Sequence, residues 1–222
     1  KSLAASPKLS HLNLQQCKFP PGALKAFTET KSLRVLELFL ADISDADLPD
    51  LAAMKSLIKL NLLQTKLDRP EVGEKLNPAL PRCTIHLTGK DYEPSDAHFR
   101  EASRLLTRGG FAVGVRPTGG VDLLRTSVAE LPDGPFTLTR ATNKSQASGS
   151  LTDADLKRLE ATPTLVTLEL TGAPITDAGF RSLLKSKATL TVLDLPGCTQ
   201  LTDESLETVM EFANLNSVHF DK

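Results

Sequence analysis

The sequence is poor in aromatic residues and in cysteine: it has no tryptophan and one tyrosine, and aromatics make up 5% of its 222 residues. An apolar core must therefore be built from leucine, valine, isoleucine and alanine, which suits small layers that repeat. The three cysteines, Cys17, Cys83 and Cys198, are odd in number and far apart, which is not the pattern of a disulfide framework. They favour an intracellular or otherwise reducing compartment.

Long apolar runs and an excess of one charge are also missing. No stretch approaches the ~20 apolar residues of a membrane-spanning helix, and no signal peptide is visible. The formal net charge is −1 at pH 7, so the composition gives no reason to expect binding to nucleic acid or to an anionic membrane. The chain opens on repeat-like sequence without an initiator methionine, and we expect a mature product, or a fragment or module of a longer protein.

Motifs of the common enzyme classes do not occur in the sequence. The glycine pairs at 109–110 and 119–120 lack the spacing of a phosphate-binding loop, and G-x-G-x-x-G is absent. No G-x-S-x-G, H-E-x-x-H or C-x-x-C motif is found either. We therefore predict a non-enzymatic protein without a cofactor.

The sequence does contain a short motif, called here the repeated phrase, that occurs four times, at residues 43–48, 151–156, 175–180 and 201–206. Each copy places Ser or Thr before Asp, and the hydroxyl residue is a typical helix N-cap. Apolar residues then follow at i, i+3 and i+4 spacing, which predicts a short amphipathic helix after each cap.

Leucine triplets precede all but the second of these phrases. Within a triplet the last two leucines alternate at period two, which indicates a strand with one buried face. A coil of strand, turn and helix, about 24 residues long, cannot bury its apolar face alone and must stack on its neighbours. The triplets are Leu9/Leu12/Leu14, Leu33/Leu36/Leu38, Leu57/Leu60/Leu62, Leu165/Leu168/Leu170, Leu190/Leu193/Leu195 and Leu215/Val218/Phe220.

The pattern L-x-x-L-x-L-x-x-C/T/A resembles the leucine-rich repeat. Residues 190–203 are most similar to the cysteine-containing subclass, or to its bacterial relatives with ITDAGL helices. The resemblance implies an α/β fold, a leucine-rich repeat solenoid shaped as a curved horseshoe, with a parallel β-sheet on the concave face and helices on the convex face. It also implies that the chain binds other proteins, because most members of these families do.

We predict a single leucine-rich repeat domain over residues 1–222, with regular repeats at 1–90 and 136–222. The segment 91–135 is less regular, with an amphipathic helix, two glycines and a strand at 111–115. We interpret it as a degenerate coil inside one continuous solenoid. The alternative is an internal cap in front of a second repeat block.

The residues after Leu138 are a further irregularity. Here the strand and the next phrase are separated by a polar stretch at 143–150, which we predict to be an inserted loop at one lip of the sheet. The cysteines Cys17 and Cys198 fall at the ninth position of their units. That position holds a small residue where the backbone turns out of the strand, so we predict a structural role for both thiols.

Apolar residues at outward strand positions are the strongest indication of a binding site. Phe39 and Leu63 are apolar where contact with water is expected, and Val35 lies in the preceding outward column. An apolar cluster rimmed by polar residues is typical of a protein interface. The predicted partner-binding residues are Val35, Glu37, Phe39, Lys59, Asn61 and Leu63.

Two other functions stay open on the sequence alone. Glu169, Asp194 and His219 should project side by side from successive strands, and such a trio could ligate a divalent metal or act as acid and base. The chain could instead be a structural spacer in a larger protein.

Overall fold

The structure is a computed structural model that describes residues 6–20, 22–143 and 150–220. The chain divides into two compact units, which we call the N-terminal unit (residues 1–96) and the C-terminal unit (residues 97–222). Each unit has its own sheet, so two mixed sheets are present where the sequence predicted one continuous parallel sheet.

The N-terminal unit is built on a five-stranded sheet with strands in chain order. Its strands are β1 (His11–Asn13), β2 (Val35–Glu37), β3 (Lys59–Asn61), β4 (Thr84–Leu87) and β5 (Lys90–Tyr92). The first four strands are parallel and pair without a shift, with Leu12 opposite Leu36 and Leu60 opposite Ile85. This confirms the column of leucines that the 24-residue spacing predicted.

Short helices return the chain from one strand of the N-terminal unit to the next. They are the 3-10 helices Ala23–Phe27 and Asp45–Asp47, then α1 (Leu48–Ala53) and α2 (Pro70–Ala79). The first copy of the repeated phrase forms a capping box, with Ser44 as the N-cap and the Asp47 carboxylate accepting the backbone N–H of Ser44 at 2.9 Å.

The antiparallel strand β5 closes the far edge of this sheet. Its Tyr92 ring lies against the Cα of Gly73 in α2, where a methyl group would overlap the ring, and the Tyr92 hydroxyl donates to the Pro70 carbonyl at 3.0 Å. The N-terminal unit therefore ends in a hairpin that covers its last coil.

The C-terminal unit is built on a six-stranded sheet of order β11-β10-β9-β8-β6-β7. Its strands are β6 (Phe111–Pro117), β7 (Leu123–Arg125), β8 (Phe136–Asn143), β9 (Thr167–Leu170), β10 (Val192–Asp194) and β11 (Ser217–His219). Strands β8 to β11 are parallel, whereas β6 runs antiparallel to both β7 and β8.

Three α-helices of the C-terminal unit begin where the repeated phrase predicts them. The helices of this unit are α3 (Ala97–Thr107), α4 (Asp153–Leu159), α5 (Asp177–Arg181) and α6 (Asp203–Val209), with 3-10 helices at Val128–Glu130 and Ser182–Ser186. Thr152, Thr176 and Thr202 are the N-caps of the three helices that follow a copy of the phrase.

The interpretation of 91–135 as a degenerate parallel coil is wrong. The helix at 97–107 and the strand after it are present as predicted, but β6 pairs antiparallel with β8, which a coil of the series cannot do. The chain also divides into its two units within this segment, after residue 96. The alternative of a cap before a second repeat block agrees with these strand directions.

The register of the first strand in the second block is also different from the prediction. Leu138 is the leucine of this strand, and the repeat spacing predicts that it shares the column of the later leucines. In the structure Ala141 lies opposite Leu168, and Thr142 lies opposite Glu169. Strand β8 is long enough to pair with β6 through one part and with β9 through another. Residues 144–149 of the predicted insertion lie outside the described residues.

Candidate binding surface

The six predicted partner-binding residues lie on β2, β3 and the turns that follow these strands. Parallel pairing places Val35 opposite Lys59 and Glu37 opposite Asn61. Lys59 Nζ lies 2.9 Å from Glu37 Oε1, so an ion pair crosses between the strands.

Glu37 is the most enclosed charge of this group, with 8% of its surface exposed. Burial alone would raise its pKa, but hydrogen bonds from Lys59 and Asn61, and the nearby charge of Lys59, together hold the pKa below its usual value. The carboxylate is therefore charged at neutral pH and already has partners within the chain. It contributes order to this surface more than an open site for a ligand.

Phe39 and Leu63 lie in turns after their strands, and not in an outward strand column as the sequence predicted. Both side chains are half-buried. The two turns are joined by a hydrogen bond from the Leu40 N–H to the Leu63 carbonyl at 3.1 Å, and Gln16 N–H reaches the Phe39 carbonyl at 2.9 Å. The turns of three successive coils are thus stacked on one another.

Leu40 is an exposed apolar residue that the sequence analysis missed. It has φ of 57°, in the left-handed region, and 42% of its surface is exposed. The same turn position holds Gly172 and Gly197 in the C-terminal unit, also with positive φ. A leucine where the C-terminal repeats have glycine, and where the neighbouring coils have Gln16 and Gln64, was the signal that could have identified it, since an L-residue is strained there.

The apolar surface at these turns therefore includes Phe39, Leu40 and Leu63, with the Glu37–Lys59 pair and Asn61 beside it. Asn61 Oδ1 accepts the Leu63 N–H at 3.0 Å, which fixes the start of the turn. We call these seven residues the turn surface: Val35, Glu37, Phe39, Leu40, Lys59, Asn61 and Leu63.

The alternative metal or acid–base trio is aligned in register but is not assembled as a site. Asp194 lies between Glu169 and His219, so those two are separated by roughly twice the ~4.8 Å strand spacing. His219 Nδ1 lies 2.8 Å from Asp194 Oδ1, whereas Glu169 accepts a hydrogen bond from Thr142 at 3.1 Å. Within the described parts of the chain, no group of three or more His, Cys, Asp or Glu residues could hold a metal ion.

The cysteines occupy structural positions where the structure gives contacts. Cys198 Sγ donates to the Leu170 carbonyl at 3.6 Å, in the coil before its own, which confirms its predicted place at the turn. Burial raises the pKa of the Cys83 thiol well above its usual value, so a thiolate is strongly disfavoured there.

Aspartates of the repeated phrase make contacts that the sequence analysis did not predict. The Asp153 carboxylate accepts the N–H of Thr176 at 2.8 Å and its hydroxyl at 2.6 Å, so it holds the N-cap of the next coil. Asp177 holds Thr202 in the same way, at 2.9 and 2.7 Å. The constant Thr–Asp pair in the repeated phrase could have indicated these contacts, because the Asp of one coil binds the Thr of the next coil.

These elements define an α/β protein built from stacked strand–turn–helix coils. Residues 162–184 and 186–210 match the family model described as Leucine Rich repeat. These two matches support the predicted resemblance to the leucine-rich repeat family. Leucine-rich repeats generally mediate protein–protein interaction and are typically non-enzymatic.

A comparison with curated proteins finds no match to this chain. Among residues 6–20, 22–143 and 150–220, no helix has both the length and the apolar character that crossing a membrane requires.

Proposed function

We propose that this protein is a non-enzymatic recognition module, part of a longer protein, that binds a protein partner through the turn surface of the N-terminal unit. In this proposal the stacked coils form a curved solenoid, and the strands with their following turns lie on the side that the partner contacts. Nucleic acid is not the expected partner, because the chain has a net charge of only −1.

The observation that carries the proposal is the apolar chemistry of the stacked turns. Leu40 is 42% exposed, and Phe39 and Leu63 are half-buried next to it in the turn series. Apolar residues that are half-buried before binding, with polar residues around them, match the anatomy of an interface core and its rim.

The polar residues beside this cluster favour a preformed surface. Glu37 is bonded to Lys59 and Asn61 within the chain, and the turn backbones are hydrogen-bonded from coil to coil. Little side-chain and loop entropy is then lost when a partner docks, which is the usual advantage of a preorganised surface.

The test is affinity capture with two matched double variants. Phe39→Ser with Leu63→Ser removes apolar area from the turn surface, and Val121→Ser with Leu124→Ser makes the same change at exposed residues of the C-terminal unit. Both variants are first compared with the unsubstituted protein by thermal unfolding, so that only folded proteins enter the assay.

The proposal predicts that captured proteins lost in the first variant are retained in the second, and that purified partners bind the first variant at least tenfold more weakly. Equal capture by all three proteins would support a structural spacer instead. A metal-dependent rise in thermal stability that His219→Ala removes would favour the metal or enzymatic alternative at Glu169, Asp194 and His219.

A further inference from the structure

A cavity of about 240 Å³ lies on the sheet of the C-terminal unit, where strands β7, β6, β8 and β9 run side by side. Gly114 of β6 pairs with Leu124 on one side and with Arg140 on the other, and Arg140 pairs in turn with Thr167. All four residues line the cavity. A Cβ atom on Gly114 would lie 2.6 Å from the Cβ of Arg140, so the absence of a side chain at this glycine leaves the floor of the cavity open.

The pairing of β6 with β8 is irregular beside this cavity. Gly114 lies opposite Arg140, but the next residue of β6 lies opposite Leu138, so Thr139 is an extra residue in β8. Successive residues of a regular strand face opposite sides of the sheet, whereas Thr139 and Arg140 both line the cavity. Bulges of this kind redirect side chains and are over-represented next to active sites.

Thr167 brings a buried hydroxyl to the wall of the cavity. Thr139 and Thr167 are both 4% exposed. The Thr139 hydroxyl donates to Asp122 at 3.1 Å, but among residues 6–20, 22–143 and 150–220 no hydrogen bond engages the hydroxyl of Thr167. Because buried polar groups normally have a hydrogen-bond partner, this hydroxyl indicates a partner inside the cavity.

Arg140 brings a positive charge to the same wall. It is exposed, and the described part of the chain contains no ion pair or hydrogen bond of its guanidinium. Asp122, which also lines the cavity, is already bonded by Arg116 at 2.7 and 3.0 Å. The hydrogen bond from Arg116, followed by that from Thr139 and the charges of Arg116 and Arg140, holds the pKa of Asp122 below its usual value. The ionised Asp122 therefore repels a doubly charged anion such as phosphate, while Arg140 remains for an anion with one charge.

We propose that this cavity binds a small organic monocarboxylate with a short apolar body. The Arg140 guanidinium and the Thr167 hydroxyl donate to the carboxylate, and the apolar body lies against Leu124 and Val166. The volume of about 240 Å³ is below the ~300–1,000 Å³ of pockets that enclose a drug-sized ligand, which favours a small molecule over a cofactor. No residue of the turn surface takes part, so this site does not depend on the proposed function.

The test is a nuclear magnetic resonance titration of the ¹⁵N-labelled full chain at pH 7. The probes are 3-methylbutanoate, its neutral isostere 3-methylbutanamide and inorganic phosphate. Arg140→Gln removes the charge, and Thr167→Val removes the hydroxyl at nearly constant volume. Arg158→Gln is the matched control, because it makes the same change of charge at an exposed residue of α4. Thermal unfolding first establishes that all three variants are folded.

We expect 3-methylbutanoate to shift the amide signals of Gly114, Arg140 and Thr167 with a Kd in the millimolar range, and the neutral amide to bind at least tenfold more weakly. Arg140→Gln should weaken binding of the acid at least tenfold and Thr167→Val roughly fivefold, whereas Arg158→Gln should leave it unchanged.

Equal affinity for the acid and its amide, tighter binding of phosphate, or no shift at these signals would overturn the proposal. Binding of the acid that survives Arg140→Gln unchanged would do the same. Tenfold tighter binding of the peptide N-acetyl-Gly-Gly-Leu than of 3-methylbutanoate, abolished by Arg140→Gln, would also overturn it, because the occupant would then be the C-terminus of a peptide.

Discussion

Replacing Asp177 by alanine removes one of the two aspartate–threonine contacts that join neighbouring coils of the C-terminal unit. The carboxylate accepts hydrogen bonds from the N–H and hydroxyl of Thr202 and from the Ser205 hydroxyl. These bonds, with that from Ser205 the strongest contribution, lower the pKa of Asp177, so it is ionised at neutral pH.

A hydrogen bond to a charged group contributes about 1.5–3 kcal/mol when water cannot replace it. Asp177 is half-buried, and water can rehydrate part of the helix terminus after substitution. We therefore expect Asp177→Ala to lower the free energy of unfolding by about 2 kcal/mol, which corresponds to a fall in Tm of roughly 6 °C for a unit of this size.

Asp203→Ala is the matched control. Both aspartates occupy the first position of their helices, so the interaction with the helix dipole is lost equally in the two variants. Asp203 has no following coil within the described residues, and its substitution should change the unfolding free energy by less than about 0.5 kcal/mol.

The assay is urea denaturation followed by far-ultraviolet circular dichroism, with hydrogen exchange at residues 201–206 as the local readout. The expected result is faster exchange there in Asp177→Ala alone. Equal loss of stability in the two variants would refute a stabilising contact between Asp177 and Thr202, because the whole effect would then come from the helix termini and not from contact between coils.

Three further substitutions test other parts of the structure. Gly179→Ala should lower stability by about 1–2 kcal/mol despite the higher helix propensity of alanine, since its methyl group would overlap the Asp153 carboxyl group; a gain in a thermal melt would contradict this. Burial alone would raise the pKa of Asp155, but hydrogen bonds from Thr152 and nearby arginine charges, Arg108 at 2.7 Å, hold it below its usual value. The charged carboxylate of Asp155 therefore stabilises the fold fully above pH ~4, the pKa in the unfolded chain, and this stabilisation is lost as the pH falls through the lower pKa of the folded protein. Asp155→Asn should lower the free energy of unfolding by about 2–3 kcal/mol at pH 7, and the difference from the unsubstituted protein should shrink in urea titrations at acid pH. Leu40→Asn should raise the unfolding free energy by about 0.5–1 kcal/mol because asparagine tolerates positive φ, and should weaken partner capture; a less stable variant would be the opposite result.

The buried columns could be predicted from the sequence because they depend on period alone. Leucines 24 residues apart in the first block, such as Leu12 and Leu36, can share a face only if the coils stack in parallel, and they are found opposite each other. The N-caps were equally accessible, since a hydroxyl residue before an apolar helical pattern has few other roles.

Strand direction in the middle segment could not be predicted, because alternation of apolar residues is the same in parallel and antiparallel strands. Val115 lies opposite Leu138 in either case, and only the pairing of the whole strand distinguishes them. Apolar alternation also failed to give the register of β8. Leu138 fits the leucine column of the repeats better than Ala141 does, yet Ala141 is the residue opposite Leu168.

The candidate surface was predicted by composition but not by conformation. Phe39 and Leu63 were noticed because they are apolar, yet the strand pattern extends past the true strand end at Glu37 by one alternation. A turn with a residue at positive φ is usually marked by glycine, and Leu40 and Gln64 occupy that position without one. The sequence at these two turns therefore lacks the glycine that would have predicted them.

The most direct test of the central claim, partner binding through the turn surface, is site-specific photo-crosslinking. A benzophenone amino acid is placed at residue 39 in one protein and at residue 121 in another, and each is irradiated in an extract of its source cells. The account predicts a protein adduct from residue 39 that Leu63→Ser diminishes, and none of the same mass from residue 121. Adducts that form equally from both residues, or only from residue 121, would contradict it.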